Sequence, residues 1–170
     1  MLLETLEALK QYILSKQAMF DEALAPWGES LRQVYTYENQ TIEIDQFPCI
    51  VLTNPRVQTQ FIAAPSYMQY DFEVPAFGYS LYTDSEDNAR QITAFADCLR
   101  RVMESWYQLN YQIPTTMMSN GQPVNLHCPV DSPPFGDYNL GYEVASDQKT
   151  LIRSFDGNIR CLCEAGIGAI

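Results

Sequence analysis

The stretch 79-YSLYTDSEDNARQITAFADCLRRVMESW-106 runs from alternating, strand-like residues into a helical pattern, with no glycine at the junction. Within it Ile92, Phe95, Ala96, Leu99, Val102, Met103 and Trp106 recur at helical spacing, which makes one continuous apolar stripe that must face a core. Thr83 and Glu86 have the spacing of a capping box, and Asp84, Glu86 and Asp87 put negative charge near the positive end of that helix. A phosphate-binding corner needs glycines for close approach and open backbone N–H groups. Acidic side chains hold this corner instead, so it should repel anionic ligands.

Working outward, Leu2, Leu6, Leu9 and Ile13 predict an amphipathic helix from almost the first residue, and Met19, Phe20, Ala23 and Leu24 continue it to Pro26. Ser15 is a candidate break, leaving one bent helix or two. β-Branched and aromatic residues then predict strands in "VYTYENQTIEI", "FPCIVL" and "RVQTQFIA". In "YMQYDFEV" Met68, Tyr70, Phe72 and Val74 alternate with polar residues, as in a half-buried antiparallel strand. After Pro75 the apolar positions become Phe77, Tyr79 and Leu81, which predicts a bulge at the proline.

Residues 110–141 hold half of the chain's ten prolines and little periodicity, so a long loop or arm is expected there. Its Met117, Met118, Val124, Leu126, Val130 and Phe135 would be costly to leave in water. Either the arm packs on its own domain or it docks on another chain, which makes these six candidate interface residues. Strands "LGYEVA", "TLIRSF" and "IRCLCEAGI" close the chain, the last two joined by a predicted hairpin at Asp156-Gly157. The fold class is therefore α+β in one domain, 1–170: a mainly antiparallel sheet, an N-terminal helix, one long amphipathic helix packed on one face, and a proline-rich loop.

With 46% hydrophobic residues and 12% aromatics, the composition is that of a packed globular protein. No apolar run is long enough to cross a bilayer, and the first residues lack the basic start of a signal peptide. A net charge of −11 argues against tight nucleic-acid binding, which requires clustered Lys and Arg. Between Val57 and Ala89 the acids Asp71, Glu73, Asp84, Glu86 and Asp87 occur with no base, suggesting a solvated acidic face.

His127, the single histidine, stands beside Cys128 and is a candidate for catalytic chemistry. Neighbours in an extended chain point apart, so a converging Cys–His pair is not expected. A zinc set of His127, Cys128, Cys161 and Cys163 lacks a CxxC pair, and "CLC" alternates like a strand with both thiols on one buried face. Asp71 and Glu73 share a strand face on which carboxylates are usually solvated. Arg100 and Arg101 should pair with Asp97 and Glu104 along the long helix. No catalytic residue, cofactor site or metal site is expected.

The order of an N-terminal helix, "FPCIVL", a hairpin ending in "FGYSLYT", the helix "DSEDNARQITAFADCLRRVMESW", a variable loop and terminal strands resembles the tail terminator and tail-completion proteins of tailed bacteriophages. The likeness is clearest over residues 47–106 and is one of element order. It implies a small non-enzymatic subunit of the virion, assembled in the bacterial cytoplasm. Such subunits form a ring, commonly a hexamer, that caps the tail tube and meets the neck connector. DNA would pass through the ring without specific binding, along a lumen to which the five acids could contribute like charge. Other neck components, a head-completion or adaptor protein, are the alternative in this class. A small metal- or Cys/His-dependent enzyme is the alternative outside it.

Overall fold

A computed structural model describes residues 2–36, 46–63, 67–81, 85–108, 112–144 and 148–166. The architecture is mixed α+β and mostly sheet. Helices α1 (Leu2–Ser15) and α2 (Gln17–Leu24) precede strands β1 (Gln33–Thr36), β2 (Cys49–Leu52), β3 (Arg56–Ala63) and β4 (Tyr67–Leu81). Helix α3 (Ser85–Gln108) follows, then β5 (Ile113–Ser119), β6 (Gln122–Leu126), β7 (Phe135–Val144) and β8 (Leu151–Gly166). Thr83 and Asp84, and with them the capping box, lie outside the described residues, as do residues 37–45 of the long strand expected before β2.

The main sheet runs β1-β2-β4-β8-β7, with β3 also beside β4. Strands β2 and β3 both lie antiparallel to β4 on the same side, β2 against Ala76–Tyr79 and β3 against Tyr67–Glu73. They form one edge lane interrupted at 53–55, and β1 adds a short parallel strand outside β2. The two long strands β4 and β8 pair without interruption from Tyr67↔Gly166 to Leu81↔Ile152.

That uninterrupted ladder corrects two expectations. No bulge occurs at Pro75: Tyr70, Phe72, Val74, Ala76 and Ser80 stay buried on the helix-facing side. Phe77, Tyr79 and Leu81 point to the other face, where Tyr79 and Leu81 pack on a small second core of Phe47, Cys49 and Ile152. The apolar residues change face; the backbone does not. The Pro75 carbonyl accepts the Thr53 N–H at 3.0 Å, so its missing donor would have faced the gap between β2 and β3, where no ladder bond is lost.

Nor is there a hairpin at Asp156-Gly157, because β8 continues straight through it. Gly157 serves space, not turning: a Cβ there would sit 2.7 Å from Phe135 Cε2. The 110–141 segment is likewise not a structureless loop. Asn120 (φ +51°) and Gly121 (φ +76°) make a two-residue turn between Ser119 and Gln122, closing the β5–β6 hairpin. His127 then bridges to Leu162 of β8, and β7 begins at Phe135.

The helices cover one face of the sheet. The α3 stripe is as the spacing predicts, with Ile92, Phe95, Ala96, Leu99, Val102, Met103 and Trp106 all fully buried. Each large side chain so buried contributes roughly 1.5–3 kcal/mol. The N-terminal helix breaks at Lys16, whose N–H donates to the Ile13 carbonyl at 3.0 Å. Helix α2 packs on α3, and α1 reaches its far end, where the Tyr12 hydroxyl donates to the Val102 carbonyl at 3.1 Å. Aromatic contacts run from Phe20 to Phe95 to Phe155, and from there to Phe135 and Tyr138.

The Phe155 ring lies over Gly78, its partner in the β4–β8 ladder, so that a Cβ on Gly78 would come within 1.9 Å of it. Gly78→Ala is expected to lower stability by about 3 kcal/mol in urea unfolding, at the upper end of overpacking costs. Gly136→Ala, whose new Cβ would meet nothing closer than Pro133 at 3.7 Å, should stay within about 0.5 kcal/mol.

Candidate functional site

On the sheet face away from the helices, alternation along β3, β4 and β8 brings Arg56, Gln58, Asp71, Glu73 and Arg160 around one open polar basin. Arg160 organises it. Its guanidinium holds Asp71 at 2.9 Å and Ser132 Oγ at 2.7 Å, with Asp131 3.9 Å away. The hydrogen bond to Asp71 and the surrounding carboxylates raise its affinity for its proton further. Asp71 is thereby tied to a cation.

The acidic run does not form one surface. Asp71 and Glu73 lie on this outer face, whereas Glu86 and Asp87 are in the first turn of α3, on the opposite side of the sheet. Glu86 pairs with Arg90 at 2.9 Å. Asp97 and Glu104 flank Arg100 at 3.2 and 3.9 Å, as the helical spacing predicts, whereas Arg101, expected to share these acids, interacts with the Cys98 thiol. Asp84 lies outside the described residues.

The cysteines line the core. Cys161 and Cys163 share the helix-facing side of β8 and are fully buried, as are Cys49 and Cys98. Burial pushes the Cys49 and Cys128 thiols up to about 12 and those of Cys98 and Cys163 up to about 11, and Cys161 also moves upward. A nucleophilic cysteine requires the opposite shift. His127 is fixed through its main chain, its N–H donating to the Leu162 carbonyl at 2.7 Å. Among the described residues no three His, Cys, Asp or Glu side chains gather into a metal-binding group, and no helix is long and apolar enough to cross a membrane.

The six arm residues divide. Val124, Leu126 and Phe135 are buried in the chain's own core, and Met117 packs against it, because the β5–β6 hairpin folds back onto α1 and β8. For these four the arm packs on its own domain, the first of the two alternatives, and they are not free to dock on another chain. Only Met118 and Val130 stay open, 56% and 86% exposed.

A different apolar surface was missed by sequence reasoning. On β7, at one edge of the sheet, Leu140, Tyr142 and Val144 are 46%, 57% and 62% exposed and point to the same face. Their i, i+2, i+4 spacing in "LGYEV" was visible as alternation, but alternation normally marks a buried face. Tyr142 lies under the Arg153 guanidinium, 3.8 Å from its ring centre. At the opposite edge β3 presents Gln58, Thr59 and Gln60, all exposed.

No protein-family model matches this chain, and neither does any curated protein.

The buried thiols have a consequence at high pH. In the unfolded chain they ionise near 9, whereas the folded protein holds them protonated to higher pH. Their stabilising contribution is thus complete below pH ~9 and is lost as pH rises above it. Urea unfolding is expected to show a loss of roughly 2 kcal/mol or more between pH ~8 and pH ~10.5. Thiol reagents at pH ~7.5 should label the folded protein far more slowly than the unfolded chain.

Proposed function

We propose that this chain is a non-enzymatic structural subunit of a phage virion at the head–tail joint, acting as the tail terminator that closes a ring over the end of the tail tube. The observation that carries the reading is the row of Leu140, Tyr142 and Val144 along a sheet edge. Large apolar side chains exposed on an edge strand are a liability for a free monomer and an asset for an assembly.

The polar groups support the same reading from the other side. Asp71 and Arg160 are engaged with each other, the thiols are held protonated, and the helix corner is acidic, so the surface offers contacts more readily than chemistry. Of the two separated acidic groups, only one can line a channel, and like charge there would let DNA pass without adhering. The tail tube protein and the neck connector are the partners that such a position requires. Another neck component remains the second reading, since edge assembly suits any ring in the joint.

Electron microscopy and native mass spectrometry are expected to find rings, commonly of six subunits, and labelled subunits at the junction of head and tail. Particles assembled without the protein should carry uncapped tubes of uncontrolled length. A strictly monomeric protein absent from particles would overturn the proposal.

A further inference from the structure

Strand directions and hydrogen-bond parity reach further than the presence of two edges. We propose that the β7 edge of one copy pairs antiparallel with the β3 edge of the next, in the register Arg56↔Glu143, Val57↔Tyr142, Thr59↔Leu140 and Gln60↔Asn139. The contact deepens the ring assembly proposed above and rests on that reading.

Each of the contacts β3–β4, β4–β8 and β8–β7 is antiparallel, so β3 and β7 run opposite ways at opposite sides of the sheet. A second copy in the same orientation therefore sets its β3 antiparallel to the first copy's β7, with helix-covered faces continuous across the joint. This is a head-to-tail contact, the kind that builds rings.

Parity comes next. Since Pro75 turns its carbonyl to Thr53, odd residues of β4 face the β2/β3 side. In β8 the Arg160 and Leu162 N–H groups bond Pro134 and His127, so even residues face the β7 side. Carried through the ladders, even residues of β3 and odd residues of β7 bond within the sheet. Odd residues of β3 and even residues of β7 then direct their main chain outward. Val57 and Thr59 on one strand thus meet Tyr142 and Leu140 on the other as hydrogen-bonded pairs.

The side chains agree with this register. On the outer face Arg56 meets Glu143, whose carboxylate already neighbours the Tyr79 hydroxyl, and the amides of Gln60 and Asn139 meet. On the inner face Val57 and Thr59 cover Tyr142 and Leu140, removing exposed apolar surface. The open lane beside β3 ends at 53–55, because β1 fills it beside β2. In this register Val144, the last residue of β7, falls opposite Pro55, where the lane stops.

The lanes are staggered: Leu140 lies level with Gly78 of β4, and Thr59 level with Tyr70. That is about eight residues, or roughly 27 Å along the strand. Four strand spacings span about 19 Å, so a closed ring requires strands tilted by roughly 55° from its axis.

The test uses full-length protein with Arg56→Cys and Glu143→Cys made in separate preparations, oxidised alone and mixed, in solution and in particles carrying both. Disulfide-linked dimers are expected in the mixture and not in either variant alone. Arg56→Glu should reduce the assembled fraction at least tenfold, and adding Glu143→Arg to the same chain should restore it. Thr59→Pro, which removes an outward N–H, should abolish assembly with an unchanged monomer melting curve. Self-linking of either variant would mean a two-fold contact and overturn the pairing. Rings on particles without the mixed crosslink would overturn it and leave the terminator reading intact. Absence of both rings and incorporation would end both.

Discussion

The Phe155 ring sits where a side chain of Gly78 would otherwise be, and the organisation of the protein depends on that exchange of space. Phe155 projects from β8 into the helix layer, meets Phe95 of α3 edge-on at 5.3 Å, and stands beside Phe135 and Tyr138 of β7. One ring thus joins the central strands, the long helix and the edge strand. An aromatic covering a cross-strand glycine also protects backbone that would otherwise be thinly packed at the middle of a long ladder. Gly157 repeats the arrangement for Phe135, so the two glycines are cavities cut for two rings.

The long ladder makes the sheet two-faced along its length. At the β1–β2 end both faces are apolar, since Phe47, Cys49 and Ile152 form a second core with Tyr79 and Leu81. At the β3 end the outer face is charged and centred on Arg160. Apolar burial anchors one end, and the polar end remains available to solvent or a neighbour. The edges follow the same division: β1 shields β2, whereas β3 and β7 have no further strand beyond them among the described residues. In the assembly proposed here, those two edges are the interface, and the rest of the molecule holds them at a fixed separation and opposite direction.

Much of the helical layer was legible from the sequence. The α3 stripe could be read residue by residue because a period of 3.6 over two dozen residues has no competing explanation. The shared burial of Cys161 and Cys163 followed from simple alternation. The bulge at Pro75 and the turn at Asp156-Gly157 were misread for one reason: proline and glycine interrupt strands in isolation but are accepted where a partner strand is absent or a ring needs room. The prolines of 110–141 hid the β5–β6 hairpin in the same way, although Asn120-Gly121 was a strong turn signal within it.

The candidate surface was the least legible part. Leu140, Tyr142 and Val144 alternate as a buried strand would, yet on the edge strand β7 they stay exposed. The acidic run looked continuous because neighbours in sequence need not share a face; the sheet separates Asp71 and Glu73 from Glu86 and Asp87. Periodicity and composition by themselves determined the α+β class, the buried stripe of the long helix and the shared burial of Cys161 and Cys163, since these depend on local pattern. Tertiary structure alone decided strand continuity, which arm residues enter the core and which edges remain open, because each is settled by contacts between residues far apart in the chain.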